Sequence, residues 1–459
     1  MPWSAVGQFV RRTVRGGLYV GYYLLAGRTM VLRSVDQLDR LHYAPRAEID
    51  AEVDRHLRAL LYHASQTVPY YRDLIDGSIL SRAPATEVLQ SLPILTKETI
   101  RREAARLVSE RPGKKVRWNT SGGSTGEPVR LLQDEPMNRL KTSGKLLFMC
   151  WAGYKTGEPH VLIWGVPRET LGERISLHER VYRVAHNQTF LNCYGIDDKT
   201  LGNWISRINA VRPAVIEAYA DALYELSLKI VTERLRIASP RGIITSAGVL
   251  TPERREVIGK AFGCPVLNRY GSREVSDMAC SCLSSPALHV NESLCYLEIV
   301  DEQDQPCPIG VEGDILVTLF TNYTMPLVRY RIEDRGMWAS GHCGCGRKSK
   351  RLASVCGRQN DYLLASDGTK INGTALTTLL YSVSGIRRYQ YRQISTGKVA
   401  LFVVPLQGVS EETLKRDLIQ PIRSLRTMLK GAVVDLCLVN DIPPSRSGKF
   451  RYIVRDVVS

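Results

Sequence analysis

The sequence predicts an α/β protein in which a large N-terminal domain, with helices packed on a sheet, is followed by a small α+β domain. Three observations support this fold class. The 459 residues allow roughly two or three domains of about 150 residues each. From about residue 115 to 300, short β-branched and apolar runs alternate with helical patterns, as in α/β domains. The last hundred residues or so instead show a hairpin, a helix and a strand.

The elements of the large domain follow from periodicity and from end signals. Apolar residues recur at intervals of three and four from Ile49 to Leu61, which predicts a helix. Strands are predicted at His160–Trp164, Ala214–Glu217, Gly242–Thr245 and Pro265–Leu267. Thr251 precedes Pro252 as an N-cap, and Gly263 ends the helix that follows.

The small domain has its own pattern. Tyr389–Gln393 and Val399–Val404 are predicted to form a hairpin, Glu411–Met428 a single amphipathic helix, and Ala432–Val439 a strand. The polar run Gly357–Asp361 separates apolar stretches and is typical of a linker. We therefore expect domains at residues 1–357 and 358–459.

The charge balance narrows the classes of partner. Lys and Arg number 62 against 46 Asp and Glu, a formal net charge of +16. This surplus suits phosphate-bearing small molecules, anionic lipids or nucleic acid, although a basic surface with no dedicated partner is equally compatible. Nucleic acid is not expected, because no helix-turn-helix, finger or aromatic-basic motif is present. The composition, 44% hydrophobic and 24% charged, excludes disordered, collagen-like and coiled-coil chains.

The segment Gly16–Gly27 is the most apolar stretch of the chain, and it is too short to span a bilayer. Its tyrosines, with the flanking Arg15 and Arg28, would suit peripheral contact with an anionic membrane; a helix packed on the core is the alternative. Eleven cysteines, an odd number, predict a reducing and hence cytoplasmic compartment. The sequence does not determine the oligomeric state.

A loop rich in glycine and hydroxyl groups, Asn119–Pro128, is the most informative segment. Its glycines let backbone N–H groups approach an anion, and its hydroxyls add donors. Glu127 stands where a Walker loop has lysine. The G-x-S-x-G match around Ser124 needs a helix directly afterwards, yet Val129–Leu132 looks extended. A phosphate loop between two strands is therefore favoured over a plain Gly-Ser loop or a serine hydrolase.

The segment Thr120–Pro128 resembles the Thr-Ser-Gly-Ser-Thr-Gly-x-Pro loop of the adenylate-forming enzymes. The branch it resembles most contains phenylacetate-CoA ligase and the capsular-polysaccharide CapK proteins. Further motifs similar to that branch follow in the expected order: Val68–Arg72, Leu92–Lys97, Thr245–Ala247, Arg269–Glu274, Arg329–Asp334 and Pro444–Lys449. The resemblance implies a large adenylate-forming domain followed by a small mobile one.

The implied reaction is attack of a carboxylate on the α-phosphorus of ATP, giving an acyl-adenylate and pyrophosphate. In most relatives a thioester with coenzyme A follows, while an amine or a sugar as acceptor stays open. By position in the family, the substrate pocket comprises Tyr194, Tyr219, Ala220, Ala247 and Gly248. An aromatic wall there would suit an aryl or arylacetic acid, although core packing is an alternative for each residue. The rival class is a non-catalytic, basic, membrane-associated binding protein.

The resemblance also implies residue roles. The residues implied to bind the β- and γ-phosphates of ATP are Thr120, Ser121, Gly122, Gly123, Ser124, Thr125 and Gly126. The residues implied to bind the rest of the nucleotide are Ser246, Ala247, Tyr270, Gly271, Ser272, Asp334 and Arg358. Glu274 is expected to bind magnesium, Lys449 to be the mobile catalytic cation, and Asp361 to be the hinge. Structural alternatives are pairing of Glu274 with Arg273, core packing of Tyr270, and pairing of Asp334 with Arg331. The segment Leu363–Gly373 lacks the Arg-Gly pair usual after the hinge, so adenylation is better supported than thioester formation.

Two clusters of cysteine and histidine are typical of a tetrahedral zinc site. They are Cys280-x-Cys282 with His289, and His342-Cys343-x-Cys345. Phenylacetate-CoA ligase relatives resemble this chain at Cys282, His289, Cys343 and Cys345, which we expect to be the ligands of a structural zinc. Free thiols and a redox pair are the alternatives.

Overall fold

The computed structural model describes residues 16–25, 30–120, 129–165, 176–193, 196–358, 362–372, 376, 379–380, 383–443 and 451–456. The chain divides into two compact units. The first holds the chain up to Ile332 together with Gly336–Val355, and the second holds Glu333–Arg335 together with the chain from Cys356 onward.

The helices of the first unit begin and end largely where the sequence signals place them. They are residues 16–25 (α1), Met30–Tyr43 (α2), Arg46–Thr67 (α3), Pro69–Arg72 (α4), Ala85–Ser91 (α5), Lys97–Arg102 (α6), Glu135–Trp151 (α7), Leu177–Ala185 (α8), Asp198–Val211 (α9), Ala220–Thr232 (α10) and Pro252–Phe262 (α11), with a 3₁₀ turn at Ile79–Ser81. The prediction for α11 is confirmed: the Thr251 hydroxyl accepts from the Arg254 N–H at 3.2 Å, and Gly263 ends the helix with a φ of +64°.

The strands of the first unit form one large sheet and one hairpin. They are Val116–Thr120 (β1), Arg130–Asp134 (β2), His160–Trp164 (β3), Gln188–Asn192 (β4), Val215–Tyr219 (β5), Gly242–Ser246 (β6), Val266–Ser272 (β7), Ser276–Cys282 (β8), Ser285–Val290 (β9), Cys295–Val300 (β10), Glu312–Leu319 (β11), Tyr330–Trp338 (β12) and Arg351–Arg358 (β13). Strands β1 and β2 pair antiparallel, so the two strands predicted on either side of the glycine-rich segment are confirmed.

The large sheet has the order β10-β11-β12-β13-β9-β8-β7-β6-β5-β3-β4. Strands β4, β3, β5, β6 and β7 run parallel, whereas β7, β8 and β9 are antiparallel. The carboxyl ends of the parallel strands therefore meet along one edge, where ligands bind in open α/β sheets. This edge carries several of the predicted site residues.

The apolar stripe of α3 is buried, as its periodicity predicts. Its members are Ile49, Val53, Leu57, Leu60 and Leu61, none of which is more than 4% exposed. They belong to the largest apolar core cluster, which also contains side chains of β8 to β12.

Helix α1 packs on α8 through aromatic rings. Tyr19 and Tyr23 are each 2% exposed, and the Tyr23 hydroxyl lies 3.0 Å from Nε2 of His186, just after α8. Burial lowers the pKa of His186 to about 4, so this imidazole is neutral at pH 7. No helix within the described ranges is long and apolar enough to cross a bilayer.

The second unit is the α+β fold that the sequence predicts. Its strands are Tyr362–Leu364 (β14), Lys370–Asn372 (β15), Ile386–Ser395 (β16), Lys398–Pro405 (β17), Val433–Leu438 (β18) and Ile453–Arg455 (β19). The last four of these strands form a sheet with the order β18-β17-β16-β19.

The prediction of one helix over Glu411–Met428 is wrong. Two helices, Glu411–Asp417 (α12) and Ile419–Met428 (α13), meet at Leu418. Pro421 explains the break, because its ring excludes the carbonyl of Asp417 from a continuous helix.

Candidate active site and candidate metal centre

The ends of β5 and β6 bring predicted pocket residues together. Tyr219 closes β5 and pairs in register with Ser246, the last residue of β6. Ala220 begins α10, and a Cβ on Gly248 would lie 3.3 Å from the Cβ of Ala220. Four predicted site residues therefore share one edge of the sheet, while Tyr194 lies outside the described residues.

Ala247 turns the chain away from the end of β6. Its φ of +60° lies in the left-handed region, which side chains with a Cβ rarely adopt. Such local strain persists where the surroundings fix the backbone, and it is common at ligand sites.

An aromatic wall is present at the same edge. The rings of Trp164, at the end of β3, and Tyr219 have centroids 4.2 Å apart. Burial raises the pKa of Tyr219 to about 12, so the phenol is neutral and can donate a hydrogen bond at pH 7.

The turn between β7 and β8 presents Glu274. The Ser272 hydroxyl accepts from the backbone N–H groups of Glu274 at 3.2 Å and Val275 at 3.4 Å, which fixes the turn. Glu274 is 6% exposed, and its carboxylate makes no ion pair with Arg273 or with any other side chain in the described part of the chain. Tyr270, by contrast, is 9% exposed and belongs to the main apolar core.

The two strands that flank the predicted phosphate loop are hydrogen-bonded to this turn. The side-chain amide of Asn119, in β1, donates to the carbonyl of Arg273 at 2.8 Å, and that of Gln133, in β2, donates to the carbonyl of Glu274 at 3.1 Å. Thr120 closes β1, whereas residues 121–126 lie outside the described residues. The next described element is β2, not the helix that a serine-hydrolase elbow requires.

The remaining predicted nucleotide and catalytic residues are less fully described. Asp334 lies in β12, within the segment Glu333–Arg335 that groups with the second unit. Arg331, its alternative partner, forms an ion pair with Asp314 at 3.4 Å. Arg358 is the last residue of β13. Asp361 and Lys449 lie outside the described residues.

A buried charge network behind the turn was not predicted from the sequence. Glu217, in β5, is 1% exposed and lies 2.7 Å from Nη2 of Arg269, in β7, and 2.9 Å from Nζ of Lys145, in α7. Burial alone would raise the pKa of Glu217, but the two neighbouring cations hold it at about 2. Nε of Arg269 also lies 3.2 Å from the carboxylate of Asp277, in β8. The sequence did contain a signal for this network, because Glu217 and Arg269 are charged residues within otherwise apolar strands, and buried charges are usually paired.

The four predicted metal ligands are brought together. Cys282 ends β8, His289 lies in β9, and Cys343 and Cys345 lie in the loop between β12 and β13. One ligand atom from each residue lies within 4.8 Å of all the others. Sγ of Cys282 is 3.5 Å from Sγ of Cys343, and Sγ of Cys345 is 3.3 Å from Nε2 of His289.

The surroundings of this cluster suit a metal. Nδ1 of His289 lies 3.2 Å from the Ser349 hydroxyl, so Nε2 is the nitrogen that faces the sulfurs. Burial lowers the pKa of His289 to about 4, which keeps the imidazole neutral, as ligation requires. Burial raises the pKa of the Cys282 thiol to about 11, so this thiol would have to release its proton on binding a metal. Of the other predicted cluster members, Cys280 is buried in an apolar core cluster and His342 is exposed.

Comparison with known proteins gives relatives over most of the chain. Protein CapK of Staphylococcus aureus is 24% identical over 401 residues, which cover 84% of this chain and 85% of that protein. Phenylacetate-coenzyme A ligase of Thermus thermophilus is 25% identical over 360 residues, which cover 75% of this chain and 77% of the ligase. The family described as the CapK C-terminal domain matches residues 363–456.

Solved structures show the same fold. A 2-hydroxyisobutyryl-CoA ligase in the postadenylation state has a TM-score of 0.74 at 19% identity, covering 91% of this chain and 92% of the ligase. The amide bond synthetase McbA from Marinactinospora thermotolerans has a TM-score of 0.51 at 17% identity, covering 73% of this chain and 67% of the synthetase. The predicted α/β fold class, with its separate C-terminal domain, is confirmed.

Proposed function

Because this chain is a relative of CapK and of the phenylacetate-coenzyme A ligases and has the fold of adenylate-forming ligases, we propose that it activates a carboxylic acid with ATP. The reaction joins the carboxylate to the α-phosphate, forming an acyl-adenylate and releasing pyrophosphate. The observation that carries the proposal is a pair of hydrogen bonds. Asn119 of β1 and Gln133 of β2, on either side of residues 121–128, donate to carbonyls of the turn that presents Glu274.

In this proposal the chain positions the reactants and offsets their negative charge, since little covalent help is needed. The loop from Thr120 to Gly126 holds the β- and γ-phosphates. Glu274 supplies a carboxylate oxygen for magnesium, which withdraws charge from the phosphates when bound. We assign Lys449 the role of the catalytic cation, whose ammonium would reduce the repulsion between the substrate carboxylate and the α-phosphate.

The remaining roles are assigned in the same way. Tyr270, Gly271 and Ser272 contact the adenine side, and Asp334 accepts from the ribose hydroxyls. Arg358 contacts ribose or phosphate. Residues 1–357 and 358–459 are the two domains, which move about Asp361 after adenylation.

Coenzyme A is the acyl acceptor that we propose first, because phenylacetate-coenzyme A ligases cover most of the chain. An amine is the second candidate, since an amide bond synthetase shares the fold, and a sugar is the third. The aromatic wall of Trp164 and Tyr219 supports an aryl or arylacetic acid as substrate.

We also propose that Cys282, His289, Cys343 and Cys345 bind a structural zinc ion. Tetrahedral zinc, with sulfur at about 2.3 Å and nitrogen at about 2.0 Å, places its ligand atoms roughly 3.5–3.8 Å apart. The ligand-atom distances of 3.3 and 3.5 Å are close to this spacing. Since all four ligands come from the protein, the ion would join β8 and β9 to the loop between β12 and β13 and take no part in the chemistry.

A second proposal concerns peripheral contact with an anionic membrane through α1 and α8. Apolar side chains of both helices are exposed: Leu18 is 54%, Leu24 59%, Leu25 94%, Leu177 77% and Val184 73% exposed. Exposed leucines next to arginines are typical of helices that lie on a bilayer. Flotation with vesicles that contain phosphatidylserine tests this, and Leu25→Glu with Val184→Glu should abolish flotation. Val433→Glu, at an exposed apolar site of the second unit, is the control. Equal flotation of all variants would contradict the proposal.

The experiment that tests the enzymatic proposal is exchange of labelled pyrophosphate into ATP over a panel of carboxylic acids. Exchange should depend on the acid and should fall at least about 100-fold in Glu274→Ala. Lys415→Ala, at an exposed lysine of the second unit, should exchange normally. Product analysis with coenzyme A or amines then identifies the acceptor. Absence of exchange with every acid would contradict the proposal.

A further inference from the structure

A cationic cavity of about 400 Å³ lies beside the turn that presents Glu274. It is lined by residues of β1, α7, α8 and β8. Its charged lining residues are Lys115, Arg117, Lys141, Lys145, Glu135 and Asp277. Asp277 pairs in register with Gly271, which places this wall of the cavity next to the proposed nucleotide motif.

Most of these charges are compensated by ion pairs. The pairs are Lys115–Glu135 at 3.9 Å, Lys145–Glu217 at 2.9 Å and Asp277–Arg269 at 3.2 Å. Within the described ranges, neither Arg117 nor Lys141 has an ion-pair partner. Two positive charges of the cavity, one exposed and one half-buried, are therefore available to an anionic ligand.

Lys141 carries the stronger part of the argument. It lies one turn before Lys145 on α7, so both ammonium groups are on the same side of the helix. Burial lowers the pKa of Lys141; the carboxylates of Asp277 and Glu274 oppose the shift, and the cations Lys145 and Arg273 add to it. A half-buried ammonium that makes no ion pair is unfavourable, and an anionic ligand would offset that penalty.

The cavity and the aromatic wall lie on the same face of β5. Glu217 and Tyr219 are two residues apart in the strand, so their side chains point to the same face. Glu217 contacts Lys145, which lines the cavity. The aromatic wall that we assign to the acid and the cationic cavity are therefore linked through one face of β5.

We propose that the cavity receives a second anionic group of the acid substrate, so that the enzyme activates compact acids with a carboxylate at one end and a carboxylate or phosphate at the other. This inference rests on the proposed adenylating function. The inference narrows the aryl or arylacetic class proposed above to acids that carry a second anion, because an acid without one would desolvate Arg117 and Lys141 and supply no counter-charge. The volume suits a small acid.

The test is pyrophosphate exchange with length-matched acids: dicarboxylic acids, phosphorylated hydroxy acids and neutral arylacetic acids. Wild type should show the lowest KM with either the dicarboxylic acids or the phosphorylated hydroxy acids. The preferred class shows whether the second anion is a carboxylate or a phosphate. Lys141→Gln should raise the KM for that acid about 10- to 100-fold, the loss expected for one charge-assisted hydrogen bond, and leave the KM for ATP unchanged. Lys141→Arg should retain part of the affinity. Lys260→Gln, which removes an exposed lysine of α11, should match wild type.

Arg117→Gln provides a second variant that does not threaten the core, because Arg117 is exposed. It should also raise the KM for the dianionic acid. Wild-type exchange with neutral acids alone would overturn the inference and leave the proposed function intact. A raised KM for ATP in Lys141→Gln, with an unchanged KM for the acid, would assign the cavity to the nucleotide phosphates and also overturn the inference. Exchange with no acid would instead overturn the adenylating function itself.

Discussion

Replacing Cys345 by Ser should remove bound zinc from the Cys282, His289, Cys343 and Cys345 cluster. The four ligand atoms lie within 4.8 Å of one another, so loss of one sulfur leaves an incomplete tetrahedral site. Wild type purified without chelator should carry about one zinc per chain, and the variant less than about one tenth of that. If free zinc exceeds the dissociation constant about 1,000-fold, the ion contributes about 4 kcal/mol to the free energy of unfolding. Its loss should then lower the Tm by on the order of 5–10 °C.

Metal analysis by mass spectrometry and thermal unfolding with and without chelator measure these two effects. Cys150→Ser is the matched control, because this thiol is exposed and lies outside the cluster. Chelator should lower the Tm of wild type and of the control, but not that of Cys345→Ser. Wild type with less than about one tenth of an equivalent of zinc would refute the reasoning and favour free thiols.

Three further predictions concern the charge network, the catalytic lysine and the hairpin. Glu217→Gln leaves Arg269 and Lys145 without their anion. The free energy of unfolding, measured with urea at pH 7, should therefore fall by about 3–5 kcal/mol. The pKa of Glu217 is about 2 in the folded chain, against 4.5 ordinarily. The stabilisation by its carboxylate should therefore be present above about pH 4.5 and be lost as the pH falls towards 2. If the stability of Glu217→Gln fell with acid pH just as that of wild type does, this reasoning would be contradicted. Lys449→Ala should lose most pyrophosphate exchange while largely keeping ATP affinity measured by calorimetry, and near-normal exchange would count against the assigned role. Gln133→Ala removes the bond to the carbonyl of Glu274 and should lower the kcat of exchange about tenfold; an unchanged kcat would show that the turn holds its position without it.

Local patterns predicted most of the elements, and a family resemblance selected the four cysteine and histidine residues that the fold brings together. The end signals of α11 and the position of β3 are found where the sequence predicts them, because capping and strand periodicity are short-range properties. The four expected ligands were selected from two cysteine and histidine clusters because phenylacetate-CoA ligase relatives resemble this chain at those positions, and the fold brings Cys282 to within 3.5 Å of Cys343. The break between α12 and α13 was missed, although Pro421 carried the signal for it.

The charged residues of the cavity were not predicted, because their role depends on long-range pairing. Lys141 and Lys145 have the spacing of an ordinary solvated helix face. Only the tertiary structure shows that Lys145 pairs with the buried Glu217, whereas Lys141 makes no ion pair with any residue in the described part of the chain. The same holds for Glu217, whose partners come from α7 and β7. Propensity and periodicity describe neighbours in sequence, whereas ion pairs of this kind are fixed by packing.

The two lysines of α7 differ in their ion pairing, and this difference matters for any redesign of the substrate preference. Lys145 is bonded to Glu217 inside the network, so mutating it would change the acid specificity and the integrity of the sheet together. Lys141 stands outside those bonds, one helical turn away, and its side chain can be exchanged without dismantling them. Library construction for altered acids should therefore vary Lys141 and Arg117 and hold Lys145 constant.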